Sequence, residues 1–118
     1  MMTRITDSTT GTVYDFGDSE PVIKVDSRDA GRYAHSSQGR WNELWLFEVE
    51  DGYALVDVGK SDIDGESDLY TVTVADSLPG IISSMTRRNG NGVLYLTKTR
   101  QEMVSRINRR YGNQVVKL

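Results

Sequence analysis

The strongest constraint on the fold is the dipeptide Asp51-Gly52, which lies between two strand-like runs at 40–50 and 53–60. Asp-Gly suits the positive backbone angles of a type I′ turn, so the two runs are predicted to form a β-hairpin. A two-residue turn at this point pairs Glu50 with Tyr53 and fixes the register of the whole hairpin. One hairpin face is then apolar and is expected to form the centre of the core: Trp41, Trp45, Phe47, Val49, Ala54, Val56 and Val58.

The opposite face of this hairpin mixes polar and apolar side chains, and we expect it to be only partly exposed. Its members are Asn42, Leu44, Leu46, Glu48, Leu55 and Asp57. Two covers for its leucines are open at this point, a helix of the same chain or a second copy of the chain. The second cover would make the protein a homodimer.

Three further runs are predicted to be strands. Leu69–Ala75 alternates tyrosine and valine with threonine, which is the period of an antiparallel strand. Two shorter β-rich runs, at 12–16 and 22–25, are expected to extend the same sheet. The polar segment 1–10 is expected to be flexible.

A first helix is predicted after Ser77, because apolar residues follow at 78, 81, 82 and 85. This is the spacing of an amphipathic helix, and Pro79 is tolerated in its first turn. The glycine-rich sequence Asn89-Gly90-Asn91-Gly92 is expected to end the helix. Residues 92–96 then supply a short strand or extended connector.

A second helix is predicted to begin at the capping box Thr99-Arg100-Gln101-Glu102. Its C-cap is expected at Gly112, while the tail 114–118 stays open between an edge strand and a free end. Its apolar stripe consists of Met103, Val104, Ile107 and Tyr111. The sequence therefore predicts one α+β domain over residues 1–118, with an antiparallel sheet of about four to six strands and two helices in the C-terminal third.

Composition excludes several kinds of site. The chain has 118 residues and no cysteine, so disulfides and thiolate metal sites are absent. Its glycines match neither the phosphate-binding loop nor the dinucleotide fingerprint, so we expect no cofactor. The N-terminal segment lacks the apolar stretch of a secretion signal, and no apolar run is long enough to span a bilayer. We therefore expect a cytoplasmic protein with no membrane partner.

Charge is distributed unevenly along the chain. The net charge of −3 combines −9 over residues 1–75 with +6 over residues 76–118. Such a dipole steers association with charged partners without determining the fold.

One catalytic hypothesis centres on the single histidine, His35. Asp26 or Asp29 would orient it as a general base, and Ser36 or Ser37 would be the nucleophile. A triad is defined by geometry and not by adjacency in sequence. We therefore expect a solvated loop histidine and no enzymatic activity.

The first candidate binding surface is an acidic set that follows the predicted hairpin. The set is rich in carboxylate oxygens, which are ligands for calcium and magnesium. It does not match an EF-hand loop, because a loop that starts at Asp64 would need a bidentate glutamate at position 75, where the chain has Ala75. We expect no metal site, and we predict instead a partner-binding surface that mimics the charge of a nucleic acid. Its members are Asp57, Asp62, Asp64, Glu66 and Asp68.

The second candidate surface is a basic set on the last helix, consisting of Arg100, Arg106, Arg109 and Arg110. Arginine pairs well with phosphate, so this set predicts contact with a nucleic acid. The competing interpretation is structural, because such residues also pair with acidic side chains and offset the helix dipole. Arg87, Arg88 and Lys98 add to the basic charge of this half of the chain.

Part of the chain, roughly residues 38–75, resembles a pattern in small uncharacterised proteins of phages and plasmids. The pattern is an aromatic hairpin followed by a polar loop, and its segments here are Arg40-Trp41-Asn42-Glu43-Leu44-Trp45-Leu46-Phe47, Gly52-Tyr53-Ala54-Leu55, Gly59-Lys60-Ser61 and Gly65-Glu66-Ser67-Asp68. The resemblance implies an origin on a mobile element. Small acidic proteins of this kind act stoichiometrically on host-defence complexes, including as anti-CRISPR or anti-restriction proteins.

Two function classes therefore remain. The first is a non-enzymatic protein that docks on a larger protein or ribonucleoprotein through its acidic surface. The alternative is a nucleic-acid-binding protein that uses the basic last helix.

Overall fold

A computed structural model describes residues 3–29 and 39–112 of the chain. The chain has an α+β fold with antiparallel sheets, as the sequence predicted. Within the described ranges the elements are β1 (Arg4–Thr6), β2 (Val13–Asp15), β3 (Ile23–Asp26), β4 (Arg40–Val49), β5 (Gly52–Ser61), β6 (Leu69–Ala75), α1 (Leu78–Met85), β7 (Arg87–Arg88), β8 (Leu94–Tyr95) and α2 (Lys98–Tyr111).

The main sheet has the strand order β3-β4-β5-β6, with the long β4–β5 hairpin at its centre. The predicted hairpin exists, but its predicted register was wrong by two residues. Val49 pairs with Gly52, so the turn consists of Glu50 and Asp51. Gly52 is instead needed within β5, because a Cβ there would lie 2.3 Å from the carbonyl oxygen of Ala75 at the end of β6. A shift of two residues leaves every side chain on its predicted face.

Both helices pack on one face of this sheet and form the larger hydrophobic cluster with it. This face is only partly exposed, as predicted: α1 and α2 cover its leucines, whereas Asn42 and Glu48 are exposed. Because two helices of the same chain bury these leucines, a second copy of the chain is not needed to cover them. The fully or nearly fully buried members include Val25, Leu44, Leu46, Ile81, Ile82, Met85, Met103 and Ile107.

The opposite face is covered by a small antiparallel sheet formed by β1 and β2. Phe16, which follows β2, stacks on Phe47 with 4.3 Å between ring centroids. Of the predicted apolar face, Phe47, Ala54, Val56 and Val58 are buried here together with Ile5, whereas Trp41, Trp45 and Val49 are only partly buried. The prediction that this face forms the centre of the core was wrong, because the larger cluster lies on the helix-covered face. Run 22–25 extends the main sheet as β3, but the prediction that run 12–16 does so was wrong, because β2 pairs with β1.

Trp41 and Trp45 are only partly buried, and they share one carboxylate. Glu43 lies between them on β4 and accepts hydrogen bonds from both indole Nε1–H groups, at 3.1 and 3.0 Å. The charged groups of Arg28 and Lys24 lie over the two rings, 4.0 and 4.8 Å from the centroids. Partly buried tryptophans need partners for their N–H groups, and cations favour ring faces. This network therefore stabilises the β3–β4 side of the sheet.

Helix α1 begins as predicted, with the Ser77 hydroxyl accepting a hydrogen bond from the backbone N–H of Gly80 at 3.1 Å. It ends at Met85, before the glycine-rich sequence that was expected to stop it. That sequence instead forms the turn of the β7–β8 hairpin. The chain can turn back at once because Thr86 already has extended backbone angles.

Helix α2 begins two residues earlier than predicted, and its N-cap is Thr97 and not Thr99. The Thr97 hydroxyl accepts a 3.4 Å hydrogen bond from the backbone N–H of Arg100. The Gln101 side chain donates in return to the Leu96 carbonyl at 2.8 Å. The predicted apolar stripe and the Gly112 C-cap are confirmed, whereas the tail 114–118 lies outside the described residues.

Asp7 and Ser8, which follow β1, close the outer edge of β6. The Ser8 hydroxyl accepts a hydrogen bond from the Tyr70 N–H, and the Ser8 N–H donates to the Tyr70 carbonyl, both at 2.8 Å. The Asp7 carboxylate is only 4% exposed and accepts hydrogen bonds from the backbone N–H groups of Val72, Thr10 and Thr9. These bonds, that of Val72 first, lower the pKa of Asp7. Residues 3–10, part of the segment expected to be flexible, thus contribute a strand and these edge contacts.

The helix-covered face provides the first prediction. We expect Leu46→Ala to lower the free energy of unfolding by about 2–5 kcal/mol, because the fully buried side chain leaves a cavity. The control is Leu69→Ala, whose side chain is 62% exposed and whose effect should stay within about 0.5 kcal/mol. Denaturant unfolding measures both, and equal effects would contradict the assignment of this face to the core.

The edge closure provides the second prediction. We expect Asp7→Asn to lower the melting temperature at neutral pH, because an amide cannot accept the same backbone hydrogen bonds. Since the folded-state pKa is lowered, the stabilisation by Asp7 is complete above its ordinary value of 3.8 and is lost as the pH falls through the lowered pKa.

Melting curves of the parent and Asp7→Asn, recorded from neutral to acidic pH, should therefore converge at the acidic end. The control is Glu20→Gln, which changes an exposed carboxylate outside this edge. A difference between parent and Asp7→Asn that stays constant with pH would contradict the role of the carboxylate.

Candidate functional site

Asp57 and Arg100 belong to opposite predicted surfaces, but the structure pairs them with each other. The Asp57 carboxylate on β5 lies 3.5 Å from the guanidinium of Arg100 in the first turn of α2. It also accepts a 3.2 Å hydrogen bond from the side chain of Asn42. The Arg100 side chain is only 12% exposed. This pair therefore joins α2 to the sheet, and neither residue lies in a free binding surface.

Glu66 and Asp68 brace the acidic loop between β5 and β6. Glu66 forms a two-pronged ion pair with Arg40, at the start of β4, and accepts a 2.6 Å hydrogen bond from the Ser61 hydroxyl. Asp68 pairs with Lys60 at 3.0 Å. The hydrogen bond from Arg40 lowers the pKa of Glu66, and the hydrogen bond to Asp68 raises the pKa of Lys60. These two carboxylates therefore fix the loop and are largely neutralised.

Asp62 and Asp64 form the tip of this loop, on either side of Ile63. Their side chains have no hydrogen bond or ion pair to any part of the chain that the structure describes. The backbone of the tip is held, because the Asp62 N–H donates to the Gly39 carbonyl and the Ile63 N–H donates to the Ser61 hydroxyl. Of the predicted acidic set, Asp62 and Asp64 are therefore the two exposed carboxylates that make no hydrogen bond or ion pair with the described residues.

Exposed apolar side chains accompany the two free carboxylates. Ile63 is 36% exposed at the loop tip, and Leu69, where the loop enters β6, is 62% exposed. Exposed aliphatic side chains beside charged groups are typical of surfaces that bind other proteins. We call Asp62, Ile63, Asp64 and Leu69 the acidic tip.

The arginines of α2 are partly neutralised by carboxylates. Arg106 and Arg109 both lie 3.2 Å from the carboxylate of Glu102, and Arg106 also donates a 3.1 Å hydrogen bond to the Lys24 carbonyl on β3. Arg110 lies 3.9 Å from Glu48. Arg106 is therefore a structural contact between α2 and the sheet edge. Arg109 and Arg110 have side chains 69% and 47% exposed and remain the accessible part of the predicted basic set.

A groove of about 410 Å³ runs between α2 and β3 beside these arginines. Its apolar floor is formed by Val22 and Ile23, and its rim is formed by Lys24, Arg106, Arg109 and Arg110. The rim could hold an anionic chain, although Glu102 pairs with two of its arginines and offsets part of their charge.

The β7–β8 hairpin is a surface that the sequence patterns alone did not indicate as a binding site. It carries three consecutive apolar residues that are 46–59% exposed, Val93, Leu94 and Tyr95, beside two exposed arginines. The signal for it was available, because Asn-Gly between β-rich residues is a strong indicator of a hairpin turn. The sequence was interpreted as a helix stop instead.

The catalytic hypothesis lies outside the described residues, because His35, Ser36 and Ser37 fall in the range 30–38. Of its two orienting candidates, Asp26 forms an ion pair with Arg28, and this contact lowers the pKa of Asp26. Across the described ranges, no three acidic or histidine side chains are grouped as a metal site would require. No helix there has the length and apolarity needed to cross a membrane.

In comparisons with known proteins, the chain matched no protein-family model, no curated protein and no solved structure.

Proposed function

We propose that this chain is a non-enzymatic binding protein that docks stoichiometrically on a larger protein or ribonucleoprotein. The observation that carries this proposal is the acidic tip, a braced loop whose two exposed carboxylates flank an exposed isoleucine. The partner would offer a basic surface with an apolar depression, which suits charged groups around an aliphatic anchor.

The bracing of the loop supports this proposal on energetic grounds. Arg40, Lys60 and Ser61 hold Glu66 and Asp68, so the tip is ordered before any partner arrives. Binding then incurs less loss of conformational entropy than the ordering of a flexible loop would. The free carboxylates of Asp62 and Asp64 would in addition accelerate encounter with a basic partner.

The resemblance of residues 38–75 to proteins of phages and plasmids suggests a biological setting. Host-defence complexes of the CRISPR and restriction types hold nucleic acid on basic surfaces. An acidic tip that occupies such a surface would exclude the nucleic acid, so the chain would act as an inhibitor in the cytoplasm.

The third prediction tests this proposal by affinity capture from a nuclease-treated bacterial lysate, followed by binding measurements with the purified captured protein. We expect Asp62→Ser combined with Asp64→Ser to weaken binding more than tenfold, because two charged hydrogen bonds of about 1.5 kcal/mol each are lost. Ile63→Ser should weaken it further.

The matched control is Glu50→Ser combined with Asp51→Ser, which removes two neighbouring carboxylates from the β4–β5 turn. This control changes the net charge equally and should leave binding unchanged. Equal binding by the parent, the tip variant and the turn variant would contradict docking through the acidic tip.

Nucleic-acid binding is the second candidate function. The observation that favours it is the groove between α2 and β3, where Arg109 and Arg110 are the accessible cations. Arg100 and Arg106 have structural contacts, so they are unsuitable for a test of this function.

The fourth prediction is that Arg109→Gln combined with Arg110→Gln reduces binding to a single-stranded oligonucleotide. The slope of log K against log salt concentration should fall by about 1.4, since each phosphate contact contributes about 0.7 on a single strand. Arg4→Gln is the control, because Arg4 is 67% exposed on the small sheet. Titrations by fluorescence anisotropy at several salt concentrations measure the slope, and an unchanged slope would remove α2 from the binding surface.

A further inference from the structure

The two faces of the β7–β8 hairpin carry different side chains. Arg87 pairs with Tyr95 across the hairpin, and Arg88 pairs with Leu94. Successive side chains of a strand point to opposite faces, so Arg87 and Tyr95 share one face. Directly opposite residues of an antiparallel pair have Cβ atoms about 5 Å apart. One face of the hairpin therefore carries both an arginine and an aromatic side chain, close enough for one ligand to contact both.

The turn of the hairpin is held by its own hydrogen bonds. The Asn89 side-chain oxygen accepts from the backbone N–H groups of Asn91 and Val93, at 2.8 and 3.0 Å. The guanidinium of Arg88 donates to the Gly92 carbonyl. Arg88 is thus used within the hairpin, whereas Arg87 has no such bond to the described residues.

The surroundings of this face are basic and accessible. Tyr95 is 46% exposed, and both arginines are exposed. Residues 77–101 contain no aspartate or glutamate, and they contain Arg87, Arg88, Lys98 and Arg100. Unlike the arginines of α2, which have Glu102 beside them, Arg87 has no carboxylate nearby in its own segment.

We propose that Arg87 and Tyr95 form a contact site for single-stranded nucleic acid. A base stacks on the Tyr95 ring, and the adjacent phosphate pairs with the Arg87 guanidinium. Aromatic rings beside cations are the shared feature of sites that bind single strands without sequence preference. Stacking on an exposed ring requires an unpaired base, which favours a single strand over a duplex. This inference rests on the second candidate function and adds a site separate from the groove at α2.

The fifth prediction uses a fluorescent oligothymidylate of about 12 bases, a length within the usual site sizes for single strands. Tyr95→Ala should weaken binding at low salt by about 5- to 150-fold, which corresponds to the loss of one stacked base. Arg87→Gln should reduce the salt slope by about 0.7. Tyr95→Phe keeps the ring and should bind as the parent does, and Arg4→Gln should likewise have no effect.

The outcomes separate this inference from the proposals above. Loss of binding in Tyr95→Ala with retention in Tyr95→Phe supports the site, whether or not Arg109 and Arg110 contribute. If oligonucleotide binding depends on Arg109 and Arg110 but not on Tyr95 or Arg87, the second candidate function is supported and the hairpin site is overturned. A parent protein that fails to bind the oligonucleotide would overturn both. Capture of an acidic protein through Tyr95, with no oligonucleotide binding, would assign the hairpin to a protein partner and overturn the inference.

Discussion

The fold depends on the fact that strands β4 and β5 carry apolar side chains on both faces. Leu44 and Leu46 point to one face, and Phe47 and Val56 point to the other. Burying one such side chain stabilises the folded state by about 1.5–3 kcal/mol, so both faces have to be covered. The two helices at the C-terminal end cover the first face, and β1 and β2 at the N-terminal end cover the second. The first and last elements of the described chain, β1 and α2, are thereby packed on the hairpin in its middle.

Local patterns in the sequence were sufficient to predict most elements of the fold, because each pattern reflects burial on one face of a helix or strand. Leu69–Ala75 and both helices were found in this way. The register of the hairpin was predicted incorrectly because a glycine after an aspartate has two possible roles. Gly52 can form part of the turn, or it can allow a neighbouring backbone to approach closely. Only the position of Ala75 on β6 distinguishes them. The pairing of β1 with β2 was missed for a different reason, since strands of three residues give no periodic signal.

The candidate sites were less predictable, because the charge of a surface depends on pairs that are distant in the sequence. The acidic set was predicted as one surface, yet Arg100 neutralises Asp57, and Arg40 and Lys60 hold Glu66 and Asp68. Spacing along the chain indicates which residue types are present but not which of them face each other. The same limitation applies to the basic set, where Glu102 is shared by two arginines of the same helix.

Within the described residues, the outer strands β6 and β3 each form hydrogen bonds with groups that lie outside the main sheet. At β6, the Asp7 carboxylate accepts a hydrogen bond from the Val72 N–H, and the Ser8 hydroxyl accepts one from the Tyr70 N–H. At β3, the guanidinium of Arg106 donates a hydrogen bond to the Lys24 carbonyl. A sheet edge with unpaired backbone groups is a template on which other chains add as strands. To add a strand at β6, another chain would first have to displace the buried Asp7 carboxylate from the backbone N–H of Val72. These bonds therefore make strand addition at the β6 edge less favourable.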